Sequence, residues 1–141
     1  MIDRKQVVEA ARACIGTPFY HCGRQPGKGL DCIGLLVAAY TNLRLTDYDV
    51  KSYSRIVPPG FTRTCLSEVF DVYLPTAQIL PGDVLLFSIR NIEQHVGIAT
   101  DPGFMVHAYQ GVRKVVEQRL DDEWLERLTG IFKYRGPLWQ L

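Results

Sequence analysis

The run at residues 29–40, GLDCIGLLVAAY, constrains this chain more than any other stretch. Apolar residues fall on every side of it, so a helix here must be enclosed by the rest of the domain. Asp31 has the side chain and position of an N-cap, accepting from the unpaired backbone N–H groups of the first turn, and Cys32 becomes the first helical residue. A thiol at that point sits where the helix dipole and free N–H groups favour negative charge, which predicts a stabilised thiolate able to attack a carbonyl. A second reading is as direct. Free cysteine is among the most buried residue types, and Cys32 also fits as a small core residue.

A chain of 141 residues with 47% hydrophobic content can build one full core, so residues 1–141 are expected to form a single domain. Sixteen basic against 15 acidic side chains leave a net charge of +1, which gives no electrostatic reason to expect nucleic acid or an anionic membrane as partner. Asp3, Arg4, Lys5 and Glu9 interrupt the N-terminus, so neither a signal peptide nor a membrane span is expected there, and synthesis in the cytoplasm follows. The four cysteines, Cys14, Cys22, Cys32 and Cys65, are expected to remain thiols in that reducing compartment.

Asp3 and Gln6 resemble a capping box, after which Val7, Val8, Ala11 and Ile15 mark one face of a first helix, with Cys14 as core filler beside it. Gly16-Thr17-Pro18 ends that helix, and residues 19–30 read as a loop that crosses in front of the Cys32 helix and can wall a cleft. Residues 42–60 are irregular and break at Pro58-Pro59-Gly60; Leu66, Val69, Phe70, Tyr73 and Leu74 then predict a third helix over 62–74, with Cys65 packed in it. Beyond Pro81-Gly82-Asp83 the pattern turns to strands: a buried one at 84–87, then 95–100 and 104–109 around Asp101-Pro102-Gly103, then 112–117. Asp121 caps a short helix through Leu128, Gly130 ends it, and residues 131–134 make a last strand. Helices ahead of strands predict an α+β fold, with three N-terminal helices packed on one face of a central antiparallel sheet of about five strands.

A hairpin centred on Pro102 pairs Gly97 with His107 and puts His95 two residues along on the same face, a diagonal of roughly 7 to 8 Å that two histidine side chains can span. If that face meets the N-terminus of the Cys32 helix, nucleophile, base and orienting group come together. His95 would take the thiol proton and later give it to the leaving amine, while His107 would fix its tautomer. Either histidine alone fits equally a hydrogen-bonded core residue.

The blocks Asp31-Cys32-Ile33-Gly34-Leu35-Leu36, Pro81-Gly82-Asp83-Val84-Leu85-Leu86-Phe87, His95-Val96-Gly97-Ile98 and Val106-His107-Ala108, in that order, resemble the NlpC-type cell-wall peptidases, cysteine enzymes of the papain-like superfamily. The resemblance covers nearly the whole chain, and Gly16-Thr17-Pro18 adds to it. It implies a papain-like NlpC-type fold, Cys32 as nucleophile, His95 as base and His107 as third member of the triad. It further implies a peptide stem of peptidoglycan as substrate, cut between D-glutamate and a diamino acid. The compact form and the wording HAYQG resemble NlpC-type proteins encoded with phage tail genes, which implies tail proteins as partners and delivery to the cell wall.

Two positions depart from the family pattern. Ile33 stands where a serine is usual, and the place of a tyrosine that helps to stabilise the oxyanion holds Phe19 when counted from Thr17-Pro18 and Tyr20 when counted back from Cys32, with Tyr20 or His21 as the compensating donor beside the Cys32 backbone N–H. Asp31 resembles the residue that binds the free amine of the stem peptide in some relatives, next to its role as a cap. A zinc site from His21, Cys22, Cys32 and His95 is a reading of another class, but no C-x-x-C or H-E-x-x-H pair organises it, and neither metal nor cofactor is expected. A non-catalytic tail-tip or interaction protein on the same scaffold, and a thiol acyltransferase, stand as alternatives to hydrolysis.

Overall fold

The computed structural model describes residues 2–136. Helix α1 (Arg4–Arg12) begins at the expected capping box: the Gln6 N–H donates to the Asp3 carboxylate and the Asp3 N–H to the Gln6 side chain, both at 3.0 Å. Val7, Val8 and Ala11 are buried, as is Cys14, but the helix has ended before Ile15, which is 45% exposed and not part of the apolar face.

The loop at 19–30 folds on itself, strand β1 (Arg24–Gln25) pairing antiparallel with β2 (Gly29–Leu30). Helix α2 (Cys32–Asn42) leaves it with Leu35, Ala39 and Tyr40 essentially fully buried. A Cβ at Gly34 would stand 2.0 Å from the Gly23 carbonyl oxygen, so only glycine lets the first turn of α2 rest against the loop.

The third helix departs from expectation. It covers only α3 (Phe61–Ser67), starting after Gly60 in the left-handed region at φ 83°, and the chain then becomes strand β3 (Phe70–Tyr73). Leu66, Val69, Phe70 and Tyr73 fit a helical period locally, but β3 pairs with β8 (Leu128–Tyr134) from Phe70↔Tyr134 to Tyr73↔Ile131. A partner from the far end of the chain overrides the local pattern.

Strands β4 (Val84–Ile89), β5 (Ile92–Ala99), β6 (Phe104–Tyr109) and β7 (Lys114–Arg119) complete a six-stranded sheet in the order β3-β8-β4-β5-β6-β7. Every neighbouring pair is antiparallel, so the α+β architecture holds with six strands in place of about five. Strand β7 begins at Lys114, not at Val112, because a 3₁₀ turn at Gln110–Val112 and a left-handed Arg113 precede it. Helix α4 (Asp122–Arg127) has the expected Asp121 cap but runs straight into β8, and Gly130 lies within that strand opposite Leu86, not at a helix end.

Both faces of the sheet are covered. Leu35, Ala39 and Tyr40 of α2 and Val7 of α1 pack on Val84, Leu86, Val96, Ile98, Val106 and Phe132, while Trp124 of α4 packs over Leu85, Phe87, Ala99, Met105 and Ile131 on the other side. The Pro81-Gly82-Asp83 turn is locked from within: Asp83 is fully buried and takes a 2.7 Å ion pair from Arg4 Nη1, a second from Lys133 and the Leu80 N–H at 2.8 Å. Among the described residues no helix is long and apolar enough to cross a membrane.

Candidate active site

The β5–β6 ladder is confined to Ile98↔Val106 and Ala99↔Met105, a register that, extended, sets Gly97 opposite His107 as the sequence predicts. A Cβ at Gly97 would lie 2.8 Å from Met105 Sδ and 3.4 Å from His107 Cβ, so this glycine gives the second histidine its room. His95 and His107 are both buried, and His95 Nε2 stands 2.7 Å from His107 Nδ1. His107 Nε2 in turn lies 2.6 Å from Gln118 Oε1, a residue of β7. A carbonyl oxygen only accepts, so His107 carries its proton on Nε2 and its Nδ1 accepts from His95 Nε2–H. The one lone pair left on a neutral His95 is at Nδ1, which makes that atom the available base.

Burial lowers His95 well below its ordinary range, with the neighbouring His107 adding to the effect. Burial also lowers His107, against the opposing pull of the Gln118 bond. The rings of Phe87, Tyr109 and Trp124 surround His95 at centroid distances of 6.0, 5.4 and 5.4 Å, which is the source of that dry environment.

Strand alternation puts both histidines with Ala99 and Met105 on the Trp124 side of the sheet, not on the side against which α2 packs. Past the short ladder β5 and β6 no longer pair, and there a cleft of about 660 Å³ is bordered by Cys32, His95, Ala108 and Tyr109 together. The Cys32 thiol reaches it from the helix side, donating to the Gln94 carbonyl at 3.8 Å, with the Val96 N–H also facing the sulfur. It thus sits against the backbone on both sides of His95.

Burial pushes the Cys32 thiol up to about 12, the charge of Asp31 adds to this, and the N–H groups of Val96, Ile33 and Cys32 pull the other way without prevailing. The expected helix-terminal stabilisation is present but outweighed. Burial thus works against charge on both the sulfur and the imidazole, where the sequence predicts a stabilised thiolate.

Asp31 caps α2 as expected, accepting from the Gly34 N–H at 2.8 Å. Its carboxylate also accepts from Arg24 Nη1 at 3.1 Å, the Cys22 N–H at 2.8 Å and the Tyr53 hydroxyl at 2.5 Å, and the residue is 4% exposed. Arg24 is itself held by Asp49, the Val50 carbonyl and Tyr53. Cys22 and His21 bring an Sγ and a ring nitrogen within 4.8 Å of the Asp31 oxygens, a grouping different from the zinc set of the sequence, which included Cys32 and His95. A cation there would have to displace Arg24 or Tyr53 from Asp31 and the Tyr53 carbonyl from His21 Nε2, at 2.8 Å.

His21 and Phe19 line the cleft, but Tyr20 is 69% exposed and is not part of its wall. The expectation of Tyr20 as an oxyanion donor is corrected by that orientation. Sequence reasoning missed Gln118, Tyr109 and the wall at Tyr53 and Arg55. Gln118 shares the side-chain parity of His107 across the β6–β7 pair, and only a correct β7 register would have exposed it.

The NlpC/P60 family model matches residues 16–133. Probable endopeptidase Rv2190c of Mycobacterium tuberculosis and probable endopeptidase Mb2213c of Mycobacterium bovis are each 32% identical over 106 residues, covering 75% of this chain and 23% of the mycobacterial proteins. The chain thus spans under a quarter of the length of those relatives. In fold it is similar to the NlpC/p60 domain of peptidoglycan hydrolase SagA, with a TM-score of 0.68 and 23% identity over 94% of this chain and 99% of that one. It is also similar to NlpC2 from Trichomonas vaginalis, with a TM-score of 0.72 and 18% identity over 93% of this chain and 46% of that one. With the family model matched from residue 16 to residue 133, the chain belongs to the NlpC/P60 family.

Proposed function

We propose that the protein is a cysteine endopeptidase that hydrolyses amide bonds in peptidoglycan stem peptides, between D-glutamate and a diamino acid, with Cys32, His95 and His107 as its triad. The observation that carries this reading is the directed chain from Gln118 through His107, which leaves Nδ1 as the free acceptor of His95, a residue that lines the same cleft as Cys32. As the substrate carbonyl arrives, His95 Nδ1 takes the Cys32 proton while sulfur bonds to the carbonyl carbon and its π electrons move to oxygen. The tetrahedral intermediate collapses, the C–N bond breaks and the imidazolium returns the proton to the leaving amine. Water then attacks the thioester with His95 as base, releasing the acid and restoring the thiol.

Burial that disfavours both charges suits this sequence, because charge then separates when the carbonyl is in place to receive it. The Cys32 backbone N–H supplies one oxyanion donor. The Tyr109 hydroxyl, which has no protein partner among the described residues and borders the cleft, supplies another in place of the tyrosine replaced by Phe19. The His107-Ala108-Tyr109-Gln110-Gly111 wording supports a phage-tail setting, with tail proteins as partners and the cell wall as destination.

Digestion of purified peptidoglycan, with released peptides identified by mass, tests the reading. Wild type should release fragments ending at the glutamyl residue, Cys32→Ala should release none, and Cys14→Ala and Cys65→Ala should act as wild type. Fragments undiminished in Cys32→Ala would remove the assignment, and a transferred acyl group in place of free acid would favour the acyltransferase.

A further inference from the structure

The charge of the cleft is one-sided. Its charged wall residues are Asp31, Arg55 and Arg90. The carboxylate is spent: Asp31 is 4% exposed, both its oxygens accept hydrogen bonds, and Arg24 neutralises it from the protein side. Arg55 and Arg90, by contrast, are exposed, and among the described residues neither has an ion pair or hydrogen bond.

Each arginine is carried on an anchored segment. Arg90 and Asn91 form the two-residue turn between β4 and β5, both in the left-handed region at φ 54° and 64°, the geometry of a tight hairpin whose tip has a fixed direction. Arg55 lies between Tyr53, tied to Asp31 and Arg24, and Val57, which is buried in the protein. Two arginines therefore border the cleft from separate stretches of chain, and His21, Cys32, Gln94 and His95 line the same cleft.

We infer that the cleft selects peptides bearing free carboxylates close to the scissile bond, and that Arg55 and Arg90 are the residues that read them. This rests on the peptidase reading above and names the substrate form it takes. A guanidinium offers a planar pair of donors matched to a carboxylate, so an acid side group gains charge-assisted hydrogen bonds that the corresponding amide does not. Because both arginines face water, the discrimination is screened by salt.

The test uses matched stem-type peptides, one with its carboxylates free and one with them amidated, and equilibrium binding to the Cys32→Ala protein by fluorescence anisotropy. The free-acid peptide should bind about tenfold more tightly at low ionic strength, with the advantage shrinking at about 0.5 M salt. The Arg55→Gln/Arg90→Gln double variant should bind the two peptides alike, and the Arg55→Lys/Arg90→Lys double variant should keep part of the preference. Equal affinity in the Cys32→Ala protein, binding of neither peptide, or a preference that survives the glutamine substitutions would overturn the inference. Cleavage of the same peptides by wild type is scored separately: failure to cut either would sink the peptidase reading, while a carboxylate preference in binding would stand.

Discussion

Gln118 touches no substrate, yet its single acceptor oxygen decides which nitrogen of His95 is free. It is a positioning residue. Gln118→Leu should lower kcat roughly tenfold to a hundredfold with little change in KM, a part of the roughly 10²–10⁴-fold that general-base catalysis is worth, since the base remains but loses its fixed tautomer. The ring-nitrogen shifts of His95 and His107 should show mixed tautomers in the variant and one in wild type; unchanged kcat and shifts would remove Gln118 from the site. The burial of His95 sets the acid limb of the reaction in the same way. Its pKa is lowered below the ordinary 6.5, so His95 remains a base as the pH falls through that value, and kcat/KM should decline only below it. Trp124→Ala, which opens the dry cover over His95, should move that limb upward; a wild-type decline centred on 6.5 would show a solvated histidine. These residue-level facts were partly legible beforehand. Asp31 as cap, Cys32 at the helix start and the diagonal from His95 to His107 follow from spacing alone. The raised thiol does not, because the field of a helix end is a local property and desolvation is set by everything packed around the sulfur.

Helix α2 and its loop hold the sulfur, and Gly34 fixes their spacing. Gly34→Ala would drive a methyl group into the Gly23 carbonyl, 2.0 Å from the built position, and no flexible side chain is there to give way. The expected loss of stability is about 1–3 kcal/mol, as for overpacking of a tight core, with a larger proportional loss of kcat as Cys32 shifts. A denaturant midpoint equal to that of wild type would show that the loop yields freely. The sheet has a comparable fixed point in Asp83, and Arg4→Ala should cost about 1.5–3 kcal/mol by removing one of the two ion pairs of that buried carboxylate, with Lys133 and the Leu80 N–H remaining. Element boundaries were legible where the signal is local, as in the Asp3–Gln6 box and the Asp121 cap. They were not where a strand depends on a distant partner: β3 reads as a continuation of α3 until β8 is seen beside it, and Gly130 reads as a helix stop until Leu86 lies across from it.

At the scale of the molecule, the family fold places a cleft at the end of a short strand ladder, lined by His95 with the buried His107 hydrogen-bonded to it. That arrangement has a stability consequence with a definite sign. Both folded-state pKa values are lowered from 6.5, so as the pH falls through that value the unfolded chain binds protons that the folded chain refuses, and stability is lost. Glu93 and Glu117 are held below their usual 4.5 by Arg63 and Arg12 and stay charged in that window, so the loss belongs to the histidines. Urea midpoints should drop between about pH 7.5 and 5.5 in wild type and less in His95→Gln; a flat wild-type profile would mean that water reaches both rings. The antiparallel α+β layering was legible because helices precede strands, whereas the one-sided charge of the cleft was not, since a net charge of +1 over the whole chain conceals that Asp31 is cancelled and Arg55 and Arg90 are not. The central claim is that Cys32 attacks a carbonyl held in this cleft. A stem-type peptide with a chloromethyl ketone in place of the scissile amide tests it most directly, by the mass and location of the covalent adduct formed near neutral pH. A single adduct on Cys32 is expected, formed much more slowly in His95→Ala; no adduct, or one on Cys14, Cys22 or Cys65, would contradict Cys32 as the nucleophile.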